Sequence, residues 1–285
     1  MLNKFPPMAK IVSSDEELRQ YLPNSFAVVA GEMPLCDKLA GHLAIAENWV
    51  IDTFTSTKTF NTICGYTLDN PIRVLVARLV VAEAMLRAIP ALDLVLTPNG
   101  FGVVNTTTIV PASKDRVERL MQSFFDYRDI CIEQLLPKLK GASQWLNSDQ
   151  ATFFRRTLFQ DLEVTNAVPG NGTKWQRYLE LIPQISDIEF SLAEDYFSHE
   201  LMEHLRLCLQ RDDLDESKRF LIKGIRLQVI NALRDEPFSA NALAALVNHI
   251  RKHTEAYPQW AYSDTAKLFA PPVYHNTKKS AGYWF

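Results

Sequence analysis

The stretch from Leu94 to Val104, "LVLTPNGFGVV", decides the fold, because its glycines can be read in two ways. They either cradle a phosphate in a dinucleotide-binding unit or turn one strand back on another. A dinucleotide fingerprint needs GxGxxG running directly into a helix, but Gly102 is followed by "VVNTTTIVPAS" and the next helix signal comes only near Ser113. The second reading fits each residue. Pro98 suits the first central position of a type I turn, Asn99 follows it, and Gly100 supplies the positive φ of a glycine bulge. The stretch therefore predicts a β-hairpin over residues 93–104 between helices, and the nucleotide-enzyme reading falls with the phosphate loop. A lone two-stranded hairpin is marginal in water, so Pro98, Asn99, Gly100 and Phe101 are expected to form a projecting, partner-binding tip.

Outward from the hairpin the sequence reads as helix. On its N-terminal side, "LDNP" offers Asp69 or Asn70 as a cap and Pro71 at the first helical position, predicting a helix that ends before Pro90. Arg73, Glu83 and Arg87 share a face of it and Arg78 points elsewhere, as a paired or snorkelling arginine. Residues 35–55 place Leu39, Leu43, Ile45, Ala46, Val50 and Phe54 at helical spacing, and "SSDEELRQYL" is a capped helix after a short strand at "AKIV". On the C-terminal side, Val117, Leu120, Phe124, Ile130 and Leu135 predict a long amphipathic helix from Ser113 to about Gly141. The polar run "KGASQWLNSDQ" then separates the halves, "ATFFRRTLF" is strand-like, and helices are expected at 175–209, broken near Pro183, at 215–234 and at 239–256.

The fold class is accordingly mainly α: helical bundles with one projecting β-hairpin. Residues 1–141 form an N-terminal helical domain with the hairpin, 142–258 a C-terminal helical domain, and 259–285 an extended aromatic tail. The order of helices admits a weak duplication of the two halves, pairing residues 43–54 with 192–203 and Leu246 and Ile250 with Leu120 and Phe124. Tyr274, Tyr283, Trp284 and Phe285 give the tail an unusual aromatic content, with Pro271 and Pro272 barring a helix. It is expected either to pack on its own domain or to dock on a neighbouring subunit.

Composition narrows the function. With 285 residues, 47% hydrophobic and 22% charged, the chain is an ordinary globular protein, and its net charge of −3 argues against constitutive nucleic-acid binding. Charges interrupt its most apolar run, 72–92, so no membrane span is expected. Cys36, Cys64, Cys131 and Cys208 are too scattered for a zinc cage or a disulfide framework. "GNGTK" at 170–174 lacks the spacing of a phosphate-binding Walker sequence. In "SHELMEHLR" the two histidines stand five apart, about 140° around a helix, so they do not meet at one metal. His199 with Glu203 and Glu200 with His204 are expected as surface pairs instead. No nucleophile elbow or recognisable catalytic cysteine is present. The reading is a non-enzyme with no catalytic, cofactor-binding or metal-binding residues.

The segments "LDLVLTPNGFGVVNTTTIVPASKDRVERL" (92–120), "AENWVIDTF" with the following "CGY" (46–54, 64–66) and "HNTKKSAGYWF" (275–285) resemble an uncharacterised family encoded in Bacteroides phages and prophages. The architecture is similar to that of phage head-to-tail connector adaptors. The resemblance implies a virion assembly adaptor working through protein–protein contacts with portal, tail or neighbouring copies of itself, as a homo-oligomer. Such a protein is made in the bacterial cytoplasm and ends in the virion. Connector adaptors are often nearer half this length, which an internal duplication accounts for. A nucleic-acid-associated packaging or regulatory factor and an enzyme of unrecognised type are the alternatives.

Overall fold

A computed structural model describes residues 10–22, 33–92, 94–97, 100–103 and 113–270, with the backbone alone for 91–92 and the two strands. The first part runs α1 (Asp15–Tyr21), α2 (Leu35–Lys38), α3 (Ala40–Val50), α4 (Thr57–Cys64), α5 (Pro71–Leu92), β1 (Leu94–Thr97), β2 (Gly100–Val103), α6 (Lys114–Leu139), α7 (Ser143–Leu146) and α8 (Asp149–Phe154). The second runs α9 (Val164–Ala167), α10 (Lys174–Leu192), α11 (His199–Gln210), α12 (Glu216–Leu233), α13 (Ala240–Lys252), α14 (Pro258–Ala261) and α15 (Asp264–Leu268). The protein is mainly α. Strands β1 and β2 pair antiparallel, Leu94 opposite Val103 and Thr97 opposite Gly100; the turn residues Pro98 and Asn99 lie outside the described residues.

The long helix α5 is the spine, packed along α6 on one side and α3 on the other. Its run of Leu75, Val76, Ala77, Leu79, Val80, Val81 and Ala82 is buried almost without interruption, as a helix enclosed by neighbours requires. One apolar core continues from these residues through Trp145 and Phe154 into Tyr178, Leu201, Ile225 and Ile250. The polar run around Ser143 is thus no linker between separate cores: Trp145 within it is fully buried.

Several elements depart from the sequence expectations, each for a local reason. Helix α5 runs through Pro90 to Leu92, and α10 runs through Pro183. A proline inside a helix costs about 3 kcal/mol; in α10 the buried Leu181, Ile182 and Ile185 that flank it offset that cost. The break expected at Pro183 falls instead at Ser198. Residues 151–159 are not a strand. They end α8 and become a buried strap, whose Leu158 N–H is donated to the Glu189 side chain rather than to another strand. Likewise Lys10 and Ile11 carry no strand, and the Ile11 N–H is donated to Glu47. Ile45 and Ile130 are exposed, off the buried faces assigned to them. Residues 259–268, expected to be extended, include the greater part of α14 and the whole of α15, with Trp260 buried.

The two parts repeat one arrangement. Helix α3 passes into a five-residue π-helical turn, Ile51–Thr55, and α10 into another, Ala193–Phe197. Each ends on a serine with positive φ: Ser56 at φ 68°, ψ 155° and Ser198 at φ 63°, ψ 151°. Non-glycine residues rarely hold this region, at a cost of about 1–3 kcal/mol. Each serine hydroxyl in return accepts a backbone N–H of the helix that follows, from Thr59 and Leu201. The indole N–H of Trp145 donates to Phe54 O at 2.5 Å, and that of Trp260 to Tyr196 O at 2.8 Å. Both acceptors lie two residues before the serine. Ser148 and Ser263 then cap α8 and α15 in the same manner. The correspondence therefore aligns Ser56 with Ser198, and Leu246 and Ile250 with Cys131 and Leu135, in a different register from the one the helix order suggested.

Paired carboxylates complete the repeat. Glu47 Oε1 accepts from Ile11 N at 2.9 Å, and Glu189 Oε1 accepts from Leu158 N at 2.8 Å, so each unit clamps the strap that precedes it. Burial raises the Glu47 carboxyl above its ordinary range, against the Ile11 N–H and Lys10. Burial also raises Glu189, opposed first by Arg206, whose guanidinium donates twice to Glu189 Oε2 at 3.1 and 2.7 Å. At the position of Arg206 the first unit has Cys64. A carboxyl with a raised folded pKa keeps its proton to higher pH in the folded state than in the unfolded one. Its contribution to stability falls as pH rises from the ordinary carboxylate range through the raised value, and stays lost above it.

Glu47→Gln keeps an acceptor for Ile11 without the buried charge. Its urea midpoint is expected to gain on the native protein as pH is raised from about 4 to about 7. Glu189→Gln takes the buried carboxylate from Arg206, leaving it only the exposed Glu203 at 3.8 Å, and should lose about 3 kcal/mol at neutral pH. Equal losses for the two variants, independent of pH, would contradict this assignment.

Candidate interaction surfaces

The residues expected to bind partners fall at the margins of what is described. Gly100 and Phe101 lie in β2; Pro98, Asn99, Tyr274, Tyr283, Trp284 and Phe285 lie outside the described residues. The structure defines a different surface in detail, the one on which the second unit sits against the first. Trp175 of α10 packs on Phe54 at 5.0 Å between ring centroids, and Tyr178 stacks on Phe154 at 6.3 Å. Such pairs add about 0.5–1.5 kcal/mol each beyond the area they bury. Phe54, Ala151, Phe154 and Tyr178 are all fully buried. At the edge, Gln210 Nε2 at the end of α11 donates to Ala151 O at 2.6 Å, and Lys140 Nζ donates to Leu209 O at 3.2 Å.

A charged network joins the same units. Arg128 on α6 pairs with Glu83 of α5 at 3.1 Å, donates to Thr173 Oγ1 at 3.2 Å and lies over the rings of Phe125 and Trp49. Glu83 also binds Arg87 at 2.7 Å. Beside Arg128, Asp129 Oδ2 accepts from Lys174 N at 2.6 Å. Burial raises the Asp129 carboxyl, and Arg128 and the α10 N–H groups oppose the shift. The segment "GNGTK" thus opens a helix whose free N–H end is filled by a carboxylate of the first unit. Thr173 and Gln176 cap it reciprocally. Arg78, the odd charge of α5, is half-buried near Tyr127 and Cys131, with its Nε lacking a hydrogen-bond partner among the described residues.

Among the described residues, hollows lie around this framework. One of about 360 Å³ lies over the junction between Trp49, Phe153, Trp175 and Leu179. Another, of about 480 Å³, has an apolar floor of Phe159, Val164, Ile222 and Leu227 and a rim of Arg219, Lys223 and Arg226. A third, of about 600 Å³, gathers Lys138, Lys140 and Arg211 at the start of α5.

The histidines of α11 do not make the expected pairs. His199 Nε2 contacts Glu194 Oε1 at 2.5 Å, Glu203 pairs with Arg155 and Arg206, and His204 Nε2 lies 3.4 Å from Cys208 Sγ. One serine meets a histidine: Ser217 Oγ lies 2.7 Å from His249 Nε2 and 2.7 Å from the buried Tyr257 hydroxyl. The neighbouring Lys218 N–H is taken by the Asp215 cap. This cluster braces α12 against α13 and the turn before α14.

Residues 32–155 match the family of unknown function DUF6712. The span begins just before α2 and ends one residue past α8, so it takes in the first unit apart from α1 and stops short of the second. No curated protein and no solved structure matches the chain. Among the described residues no helix is long and apolar enough to cross a membrane.

The junction residues escaped the sequence reading, although a signal existed. "QWLNSDQATFF" at 144–154 and "QWAYSDTAKLF" at 259–269 agree at six of eleven positions, among them the indole and the capping serine. Asp129→Ala should cost about 1–3 kcal/mol by leaving the Lys174 N–H without its acceptor. Asp129→Asn keeps an acceptor and should lose less; the urea midpoints of the two variants check the order.

Proposed function

We propose that the chain is a non-enzymatic assembly adaptor of a phage or prophage particle, acting through protein–protein contacts in the manner of a head-to-tail connector. The observation that carries the assembly reading is the junction: this fold buries its large aromatics by laying one helical unit on the face of another. Exposed Phe190, Phe220, Leu227 and Tyr262 on the second unit add apolar surface of the kind partners cover. The particle context rests on the resemblance of the hairpin-to-helix and C-terminal segments to phage-encoded proteins.

The two units descend from one by duplication on this reading. The shared π turns, serines and indole bonds support it, and so does a family similarity that spans one unit. Duplication accounts for a chain longer than the usual connector adaptor. The β1–β2 hairpin projects as an interaction element, and Tyr274, Tyr283, Trp284 and Phe285 dock on a neighbouring subunit. A second reading, a nucleic-acid-associated packaging factor, draws on the hollow of Lys138, Lys140 and Arg211; DNA binding that weakens steeply with salt would favour it.

Mass spectrometry of purified particles should find the chain in stoichiometric amount. Its absence from particles whose other head and tail proteins are present would sink the particle role. Truncation after Phe269 should leave the melting temperature unchanged and weaken assembly; the reverse result would assign the tail to its own core.

A further inference from the structure

The junction between the units has counterparts at both ends of the chain, and among the described residues nothing covers them. On the first unit, Phe54, Ala151 and Phe154 are buried beneath α10. The corresponding residues of the second unit, Tyr196, Ala266 and Phe269, are each partly exposed, and Leu268, which corresponds to Phe153, is 69% exposed. At the opposite end, Trp175 and Gln210 enter the junction and are 6% and 1% exposed. The residue corresponding to Trp175 is Met33, 61% exposed, and the turn after α4, in the place of the end of α11, carries Leu68 at 49%. Among the described residues, one end presents the receiving face without an occupant, and the other presents the inserting face without a receiver.

We propose that a second copy of this chain fills both: the Met33 and Leu68 end of one copy packs on the Tyr196, Ala266, Leu268 and Phe269 face of the next, continuing between chains the packing that joins the units within one. Such a contact continues an interface the chain already forms within itself. It rests on the assembly reading above but on no particular particle. The apolar half of the junction is what recurs. The charged half does not, because Ala244 and Asn248 stand where α6 has Asp129 and Glu133, the latter paired with Lys174 Nζ at 2.7 Å. Contacts between copies are therefore apolar, weaker than the internal junction, and insensitive to salt. The interface is heterologous, since two different faces meet, and such an interface closes into a ring or runs on as a filament.

The test uses the full chain and two variants, Leu268→Glu on the receiving face and Met33→Glu with Leu68→Glu on the inserting face. All three substituted positions are exposed, so unchanged circular dichroism and melting temperature are expected. By mass photometry and light scattering, the native chain should form oligomers whose size grows with concentration. Each variant alone should associate at least about tenfold more weakly. An equimolar mixture should restore a one-to-one dimer, because each variant keeps the face the other has lost. A native chain that stays monomeric at its solubility limit overturns the proposal. So does association that survives both variants, or variants that fail to complement each other. Particle composition is read separately, so loss of the particle role and loss of self-association give different results.

Discussion

The indole-to-carbonyl bond of each π turn is the contact from which the rest of the architecture follows. A π turn widens the helix for one turn, and its carbonyls then need donors from outside the helix ladder. Trp145 and Trp260 supply those donors from short helices far along the chain. In doing so they fix where α7–α8 and α14–α15 lie, and with them the aromatic face of each unit. The serine that follows each turn reverses the chain at positive φ and starts the next helix with its own hydroxyl. Tryptophan, π turn and serine form one device, and it occurs twice.

What differs between the units is as informative as what they share. The second unit neutralises its buried Glu189 with Arg206, whereas the first places Cys64 there, its thiol pushed up to about 11 by burial and then by Glu47. Helix α6 spans 26 residues and α13 only 13. The extra length of α6 extends from its N-terminal end, and its middle carries the Arg128 and Asp129 contacts to the second unit. The first unit is thus the larger platform, with the hairpin and the charged half of the junction. The second is the reduced copy that sits upon it.

Long periodic helices were legible in the sequence: α5, α6, α12 and α13 follow from apolar spacing and, for α5, from the Asn70 cap. The π turns were not. Residues 51–55 carry the same apolar pattern as the helix before them, and the reversal at positive φ falls on serine where glycine would have drawn notice. The strap after α8 reads as a strand because "ATFFRRTLF" is rich in aromatic and β-branched residues, but a buried carboxylate rather than a neighbouring strand takes its backbone N–H. Prolines 90 and 183 read as breaks because packing, which overrides them, is invisible in a local window. In the sequence the hairpin and the tail stand out as partner surfaces because each is a single contiguous run. The junction face does not, because its residues come from four separate segments, and only the short recurrence of "QW", "SD", "A" and "F" marks it.

The buried strap between α8 and α10 sets an order of events during synthesis. Domains form from the N-terminus as the chain emerges from the ribosome. The first unit is complete in sequence once Phe154 is out, yet Phe54, Ala151 and Phe154 stay open until Trp175 and Tyr178 follow. For that interval a nascent chain displays the same kind of aromatic face that a finished chain displays at its other end. A strap only as long as residues 155–173 keeps the second unit near that face, so the tether shortens the interval for which its aromatics stay open.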